Sequence, residues 1–514
     1  MLSLKKKQMN TKVILNSALA LIATNAISAQ TKPNVLYIMT DQQSYNMMSC
    51  MGNKWLSTPN MDKIAKMGTR FDHSYCVNPV SQPSRFSLLT GHYASEVGVK
   101  QNSPSYNKEA VTAIISKDAL GHLFTKAGYD CVYSGKTHLY GTRDVMNYGF
   151  KLNSLDPYDG PAIFSEKFLA DKSTQKEGKP FFMFLSFMNP HDICPGYWLT
   201  KGKSGQDNEK EGASEDPTKY LALQKAMKDS DYKSQIPPRA LNNAPINGEN
   251  PEMVAMSSQS REWPDNDLDL YSWMYHRLTE SVDAQIGRVL TALENSGQLE
   301  NTIIVFTSDH GDMNGAHGCV TKNTMYEECQ RVPFIIAGKG IKSNYIDKTT
   351  LVCNGLDLIP TICDLTNVTC SKGLAGVSLK PYLTGEGTKP NRKYIITENF
   401  NGYQINDGRY KLSKYELPGN PVILTDIQTN PGETINYANV ASYKSIRKSL
   451  ETELMVSLKQ RGLTPLPEDR TIKNLRAIDR QLKGNNQGDG KNQNKGNNQG
   501  NGFKKAERKN SFIE

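Results

Sequence analysis

Val35-Leu36-Tyr37-Ile38-Met39-Thr40 is a mostly apolar stretch that ends in the carboxylate of Asp41. A short run of this kind, closed by a polar residue, is typical of a parallel strand that is buried on both faces. The same arrangement recurs at residues 181–187, which lead into Asn189-Pro190-His191, and at residues 302–307, which lead into Ser308-Asp309-His310. Because open α/β sheets bind ligands beyond the carboxyl ends of their strands, these three junctions predict one shared cleft.

Helical patterns separate these runs. One covers residues 118–126 and precedes a strand-like stretch at 129–134, and a long one covers about residues 268–293. Alternating strands and helices favour a mostly parallel sheet that helices cover on both faces. The predicted fold class is therefore α/β, with one large sheet sandwiched by helices.

The 514 residues divide into four parts. The main α/β domain is predicted over 30–388, and a polar, irregular insertion at 193–266 within it is expected to face the substrate. Short strand-like segments at 394–397, 410–415 and 422–426, followed by a helix at 442–461, predict a smaller C-terminal α+β subdomain over 389–480. Residues 481–514 include a stretch of only Gly, Asn, Gln, Asp and Lys and are predicted to be a disordered tail.

The net charge of +9 lies mainly at the two ends of the chain, which argues against a nucleic-acid partner. Four lysines followed by an apolar run from Val13 to Ile22 and small residues up to Ala29 predict a signal peptide over 1–29. The run is too short for a stable membrane span, although an uncleaved anchor is the alternative. The mature protein is expected to be exported, either to the periplasm or to the medium.

The nine cysteines form no Cys-x-x-Cys pair and no zinc-like spacing. Export permits disulfides, and Cys363 with Cys370 could close a short loop. The sequence leaves the pairing open.

The segment that indicates the chemistry is Ser81-Gln82-Pro83-Ser84-Arg85, followed by Phe86-Ser87-Leu88-Leu89-Thr90-Gly91. Pro83 is expected to keep Ser81 and Gln82 out of a helix, and a helix starting near Arg85 would attract anions at its N-terminus. The layout predicts a nucleophile, Ser81, beside an anion clamp, Arg85. The segment resembles the signature of the type I sulfatases of the alkaline phosphatase-like superfamily, in its serine form. The resemblance implies that a separate maturation enzyme oxidises Ser81 to formylglycine (3-oxoalanine), whose hydrate attacks sulfur.

The resemblance also implies a divalent cation, usually calcium. Its ligands would be Asp41, Gln42, Asp309 and His310, and it would contact the nucleophile at Ser81. Gln42 stands where a common form of the family has a second Asp, and His310 stands where it has Asn. Fewer hard carboxylate ligands leave Mg²⁺ and Mn²⁺ open beside Ca²⁺.

Ser134-Gly135-Lys136-Thr137-His138-Leu139-Tyr140-Gly141 resembles a second sulfatase element. Lys136 would bind the nucleophile's oxygen or the sulfate, and His138 would remove the proton that lets the sulfated intermediate collapse. An extended segment puts these two side chains on the same side, and a histidine suits proton transfer near neutral pH. His191 matches a family histidine that binds the sulfate or protonates the leaving oxygen.

Gly315-Ala316-His317-Gly318, with Lys322 a few residues on, resembles a third element of the family. His317 and Lys322 would contact the substrate, and Lys322 would also clamp the bridging oxygen of the ester.

The implied function is hydrolysis of sulfate esters on carbohydrates by an exo-acting enzyme, with a sulfated saccharide as substrate. A phosphodiesterase or phosphonate monoester hydrolase of the same superfamily is one alternative. A catalytically inactive protein that binds sulfated glycans is the other. The sugar and the sulfated position are not predicted.

Overall fold

The structure is a computed structural model that covers the chain with gaps. The described residues are 32–102, 106–140, 145–171, 179–194, 231–238, 242, 245–247, 249, 251–254 and 257–463. The predicted signal peptide and tail lie outside the described residues, and the insertion at 193–266 lies within them only in part.

The bounds of the described elements follow, numbered in chain order. The strands β1 to β14 are Asn34–Asp41, Gly68–Phe71, Ser74–Tyr75, Asp130–Gly135, Lys151–Ser154, Phe181–Pro190, Thr302–Ser308, Phe334–Ala337, Tyr345–Asp347, Val352–Cys353, Ile395–Asn399, Gly402–Asn406, Tyr410–Tyr415 and Val422–Asp426. The helices α1 to α10 are Pro59–Met67, Ser81–Thr90, Lys108–Asp118, Leu120–Lys126, Gly160–Ala170, Asp265–Asn295, Glu327–Gln330, Asn354–Thr366, Lys380–Thr384 and Lys444–Gln460.

Eight of these strands form one sheet in the order β5-β4-β6-β1-β7-β8-β2-β9. The central strand β1 pairs in parallel with β6 and β7, and β4 continues the parallel part beyond β6. Only around β8, which runs antiparallel to β7 and β2, does the direction reverse within the described sheet. The sheet is mostly parallel, as predicted. The carboxyl ends of β1, β4, β6 and β7 therefore lie along one edge.

Alternate residues of β1 belong to two separate cores, because successive side chains of a strand point to opposite faces. Tyr37 packs in one core with Phe184 of β6. Ile38 belongs to the other core, with Phe306 of β7 and Ile286 of the long helix α6. Burial on both faces explains why the sequence of this strand shows an unbroken apolar run.

A second sheet lies in the C-terminal part of the chain, where β11 to β14 form an antiparallel meander. Helix α10 packs against it through Leu450 and Leu454, and the same core contains Tyr75 and Val77 from the segment before α2. The second sheet therefore rests on the segment that leads to Ser81.

Pro83 does not delay the start of α2. The helix begins at Ser81, and Pro83 is its third residue. The first N–H groups of a helix have no carbonyl partner within it, so a proline at this position costs no hydrogen bond. The prediction that the helix would start near Arg85 is wrong.

The predicted helix at 118–126 is α4, which begins two residues later, at Leu120. The helix before it, α3, was not predicted. The sequence left the cysteine pairing open, and in the structure all nine cysteines are free thiols, including Cys363 and Cys370. Among the described residues, no helix combines the length and the apolar character that a membrane span requires.

Candidate active site

Ser81 lies fully buried at the start of α2. Its Oγ is 3.0 Å from Nε2 of His310 and 3.4 Å from Nζ of Lys322. One turn further along, Ser84 donates its hydroxyl to the backbone oxygen of Asp309 at 2.5 Å and fixes the helix against β7. A helix N-terminus carries partial positive charge, so this end of α2 favours a bound anion.

Asp41, Asp309 and His310 form a buried group of candidate metal ligands. Asp41 ends β1, and the other two residues follow β7, its neighbour in the sheet. One ligand atom from each lies within 4.8 Å of the others. Among the described residues Oδ1 of Asp41 has no hydrogen-bond partner, and Nε2 of His310 is 4.0 Å away from it. A buried carboxylate oxygen requires a partner, so this donor set fits a divalent cation.

His310 presents a lone pair to this group. Its Nδ1 is 2.9 Å from the carbonyl oxygen of Gly311, so Nδ1 carries the proton and donates it there. Nε2 is then the acceptor nitrogen. Burial, opposed by the charge of Asp309, lowers the pKa of His310 to about 4. Neutral imidazole with an available nitrogen is the form that binds metals.

Arg85 bridges the two carboxylates. Its Nε donates to Asp309 Oδ2 at 2.8 Å, and its Nη2 donates to Asp41 Oδ2 at 2.7 Å. Nη1 donates to Ser186 Oγ at 2.9 Å and to the backbone oxygen of Lys136 at 3.1 Å. The guanidinium therefore fixes the positions of the carboxylates. Its predicted role as an anion clamp stays a prediction.

Lys136 enters the site at the end of β4, where its Nζ is 2.7 Å from Asp41 Oδ2. The preceding Gly135 has φ of +102°, and a Cβ there would lie 2.0 Å from the backbone oxygen of Ser186. A residue with a side chain does not fit at this turn. Burial lowers the pKa of Lys136, although the charge of Asp41 opposes this effect.

His138 and His191 are neutral for the same two reasons. Burial, followed by the positive charge of Lys136, holds the pKa of each imidazole well below its usual value. The charge of Lys322 acts on both in the same direction. Nδ1 of His138 has no hydrogen-bond partner among the described residues. An uncharged imidazole with an available nitrogen can accept a proton.

Gln42 makes side-chain contacts outside the Asp–Asp–His group. Its Oε1 accepts a hydrogen bond from Lys322 Nζ at 2.9 Å, and its Nε2 donates to Asp312 Oδ2 at 2.5 Å. Its backbone N–H donates to Asp309 Oδ1 at 3.0 Å. Its predicted role as a metal ligand stays a prediction, compatible with the second lone pair of Oε1.

His317 contacts Tyr326 and Asn242. Its ring stacks on Tyr326 with 3.8 Å between centroids, and its backbone N–H donates to the oxygen of Asn242. Contact between His317 and substrate stays a prediction.

Asp312 and Tyr271 are site residues that the sequence analysis missed. The Tyr271 hydroxyl donates to Asp312 Oδ2 at 2.8 Å, and burial raises the pKa of Asp312 to about 6. Asp312 lies two residues beyond His310, so an acid at the same strand end was a usable signal. No comparable pattern marks Tyr271 within α6.

Residues 33–368 match the family model described as Sulfatase. This match covers more than half of the chain and contains all of the predicted site residues. The chain belongs to the sulfatase family. Residues 315–460 also match the model described as N-sulphoglucosamine sulphohydrolase, C-terminal.

Two curated sulfatases and one solved structure are similar over most of their length. A Delta 4,5-hexuronate-2-O-sulfatase of Bacteroides thetaiotaomicron is 30% identical over 450 residues, which cover 82% of this chain and 88% of that protein. An N-acetylglucosamine-6-O-sulfatase of the same bacterium is 29% identical over 552 residues, covering 94% and 96%. A solved structure in complex with its substrate, D-glucosamine-2-N,6-O-disulfate, has a TM-score of 0.68 at 25% identity, covering 86% of this chain and 100% of that one.

These similarities confirm the predicted fold class and the enzyme class. The protein is a sulfuric ester hydrolase with the α/β architecture of the sulfatases.

Proposed function

We propose that this sulfatase removes sulfate from carbohydrates as an exo-acting enzyme, with its nucleophile derived from Ser81. The observation that carries the proposal is the position of Ser81 Oγ, 3.0 Å from His310 Nε2 and 3.4 Å from Lys322 Nζ, at the start of α2. Sulfate-ester hydrolysis needs fixed positive charge around a delocalised anion and a strong nucleophile next to it. The carboxyl end of the sheet carries the positively charged side chains, and it positions the side chain of Ser81 from which the nucleophile would be made.

Ser81 as an alcohol would form a sulfate ester that has no second hydroxyl to expel the sulfate. Its oxidation to formylglycine removes two hydrogens, which the maturation enzyme passes to an electron acceptor, and the hydrate then supplies both hydroxyl groups. Because Ser81 is fully buried in the folded chain, we propose that maturation precedes folding and export. The serine form fits a radical, anaerobic-type maturation enzyme.

Asp41, Asp309 and His310, joined by Gln42, are the residues that we propose hold a divalent cation. We propose Ca²⁺, with Mg²⁺ and Mn²⁺ as alternatives. Such an ion would offset the charge of the ester and polarise its S–O bond.

We assign the two proton transfers to Lys322 and His138, and we assign binding or positioning roles to His191, Lys136 and Arg85. Lys322 stands beside the nucleophile oxygen and donates to the sugar oxygen as it leaves. His138, uncharged, accepts the proton whose removal releases sulfate. His191 is also uncharged, so we assign it to binding the sulfate group rather than to donating a proton. Lys136 and Arg85 fix the surrounding charges.

The substrate is proposed to be a sulfated saccharide, by analogy with relatives whose names specify a hexuronate 2-O-sulfate and an N-acetylglucosamine 6-O-sulfate. The insertion at 193–266, His317 and the C-terminal subdomain are expected to select the sugar. Residues 1–29 are expected to direct export to the periplasm or the medium.

Sulfate release from a panel of sulfated monosaccharides and glycosaminoglycan disaccharides tests the proposal. The protein is produced with a maturation enzyme, and mass spectrometry of the Ser81 peptide is expected to show the loss of two hydrogens. Chelation by EDTA should abolish release, and added Ca²⁺ should restore it. Full turnover without the mass change would contradict the formylglycine route. Faster hydrolysis of an aryl phosphodiester than of any sulfate, or glycan binding without sulfate release, would contradict the function.

A further inference from the structure

A continuous series of hydrogen bonds leads from the nucleophile into α6. Lys322 Nζ lies 3.4 Å from Ser81 Oγ and donates to Gln42 Oε1 at 2.9 Å. The same amide donates through Nε2 to Asp312 Oδ2 at 2.5 Å, and Tyr271 OH donates to that oxygen at 2.8 Å. The side chains of Gln42 and Asp312 are fully buried.

The partners at the two ends of the Gln42 amide fix its orientation. A carboxylate only accepts hydrogen bonds, and an ammonium group only donates them. The NH₂ group must therefore face Asp312, and the carbonyl oxygen must face Lys322. A reversed amide would place NH₂ against the lysine ammonium and oxygen against the carboxylate.

Asp312 is itself firmly held. Its Oδ1 accepts the backbone N–H of Asn314 at 2.7 Å, while its own N–H donates to Ser44 Oγ at 2.9 Å. Every group that contacts its two carboxylate oxygens through these bonds is a donor, as a negatively charged carboxylate requires. The contacts with Ser44 and Asn314 would therefore hold Asp312 in place even without Gln42.

The neutral Gln42 amide and the charged Asp312 carboxylate differ in what they bring to the candidate metal site. A glutamine at position 42 is neutral, so the side chain next to Asp41 brings no negative charge to the candidate metal group. Asp312 supplies a carboxylate one hydrogen bond further away. A carboxylate that accepts from an amide N–H polarises the amide and makes its oxygen a stronger donor of electron density.

We propose that Asp312 is a positioning residue of the sulfatase site, which orients the Gln42 amide so that its oxygen faces Lys322 and would be available as a ligand to the divalent cation. The assignment rests on the proposed function for the presence of that cation. Asp312 acts through Gln42 and does not itself touch the substrate.

The test measures the affinity of the full chain for Ca²⁺ and for Mn²⁺ by calorimetry, with Ser81 left unoxidised. Asp312→Ala is expected to weaken binding about 10- to 100-fold, the usual effect of removing the partner of a ligand. Asp312→Asn, which keeps an acceptor and loses the charge, is expected to fall between Asp312→Ala and the wild type. When Gln42 is already replaced by alanine, Asp312→Ala should weaken metal binding by less than about a further threefold, because the effect of Asp312 passes through the Gln42 amide.

Asp283→Ala is the matched control. Asp283 is a buried carboxylate on α6 that accepts hydrogen bonds from Asn60 and from the backbone of Met61, away from the site. Its removal should lower the melting temperature and leave the metal affinity unchanged. Equal affinities for Asp312→Ala and Asp283→Ala, or fully additive effects of the Asp312 and Gln42 changes, would overturn the assignment.

The same variants, matured and assayed for sulfate release, separate this inference from the proposed function. A wild-type protein that releases no sulfate contradicts the proposed function, while the metal titration still decides the role of Asp312. If the wild-type protein releases sulfate, but the effects of the Asp312 and Gln42 changes on metal affinity are independent, only the role of Asp312 is overturned.

Discussion

At the level of single residues, Arg85 maintains the charge balance of the site. Asp41 and Asp309 are fully buried, and each accepts a charged hydrogen bond from this one guanidinium. Burial alone would raise the pKa of Asp41, but Lys136 and Arg85 are among the groups that hold it well below its usual value. Asp41 can therefore remain ionised without contact with water.

Removing Arg85 should consequently destabilise the whole protein. We expect Arg85→Ala to lower the free energy of unfolding by about 3–5 kcal/mol, because it removes the charged group that pairs with both buried carboxylates. Arg288→Ala is the control, since Arg288 pairs with Glu166 at 2.8 Å with its side chain 37% exposed, and a loss of about 0–1 kcal/mol is typical of such pairs. Urea denaturation followed by circular dichroism measures both. Similar losses in the two variants would show that Arg85 does not balance the buried charge.

His138 should matter for catalysis more than for folding. In the matured enzyme we expect His138→Gln to lower kcat about a hundredfold to ten-thousandfold, because glutamine hydrogen-bonds but cannot accept the proton. His276→Gln is the control, since His276 is a buried histidine on α6 that hydrogen-bonds to Ser272 and lies near Asn53. Steady-state kinetics on the best substrate of the panel compares them. An unchanged kcat for His138→Gln would remove this residue from the proton transfers.

At the level of elements, His92 connects the end of α2 to α3. Its Nδ1 lies 2.8 Å from Glu96 and its Nε2 lies 2.8 Å from Asp118. A neutral imidazole has a single N–H and cannot donate to both carboxylates, so the geometry requires the protonated ring. Burial opposes protonation, but the bonds to Glu96 and Asp118 outweigh it and raise the pKa of His92.

Stability should therefore depend on pH through His92. The contribution is complete below the pKa of an unfolded histidine, about 6.5, and is lost as the pH rises through the higher pKa of the folded state. We expect the difference in unfolding free energy between wild type and His92→Gln to shrink as the pH rises above about 6.5, the pKa of an unfolded histidine. Buried His138, His191 and His310 have lowered pKa values and act in the opposite direction, but they are common to both proteins and cancel. A difference that is independent of pH would contradict the protonated bridge.

The elements themselves were predictable where one residue pattern dominates. β1 and β7 agree with their apolar runs to within two residues, because both faces of each strand are buried. β12 was not predicted, since Gly402-Tyr403-Gln404-Ile405-Asn406 mixes polar and apolar residues. All five are buried nonetheless, and the Gln404 side chain donates through Nε2 to the backbone oxygen of Met325 at 2.8 Å. Such a partner, remote in sequence, leaves no local pattern.

The candidate site was predictable in its composition more than in its connections. The prediction that the strand ends meet in one cleft is confirmed for Asp41, Asp309 and His310. Ser81, predicted from the segment at 81–91, lies next to His310. The hydrogen bond between Gln42 and Asp312 joins residues 270 positions apart. The strand end marked Asp312 as a nearby acid, but no sequence pattern indicated that its partner is Gln42.

At the level of the whole molecule, the second sheet holds two segments of the site in place. The backbone N–H of Glu398 donates to the oxygen of Val77 at 2.8 Å, four residues before Ser81. Asn399 donates through its side chain to the backbone oxygen of Asn323 at 3.1 Å, next to Lys322. The positions of the nucleophile and of its lysine neighbour therefore both depend on β11.

A chain that ends at the predicted boundary, residue 388, should for this reason fail to form a cooperative fold. It would lack β11 to β14 and would expose Tyr75, Val77 and Leu356, which now share a core with the second sheet. A chain that ends at residue 463 keeps α10 and the bond from Arg461 to Glu398 at 2.9 Å, so it should melt like the full chain. Thermal unfolding by circular dichroism, together with Ca²⁺ titration, compares the two. Cooperative melting and full metal affinity in the shorter chain would show that the first sheet builds the site without the second.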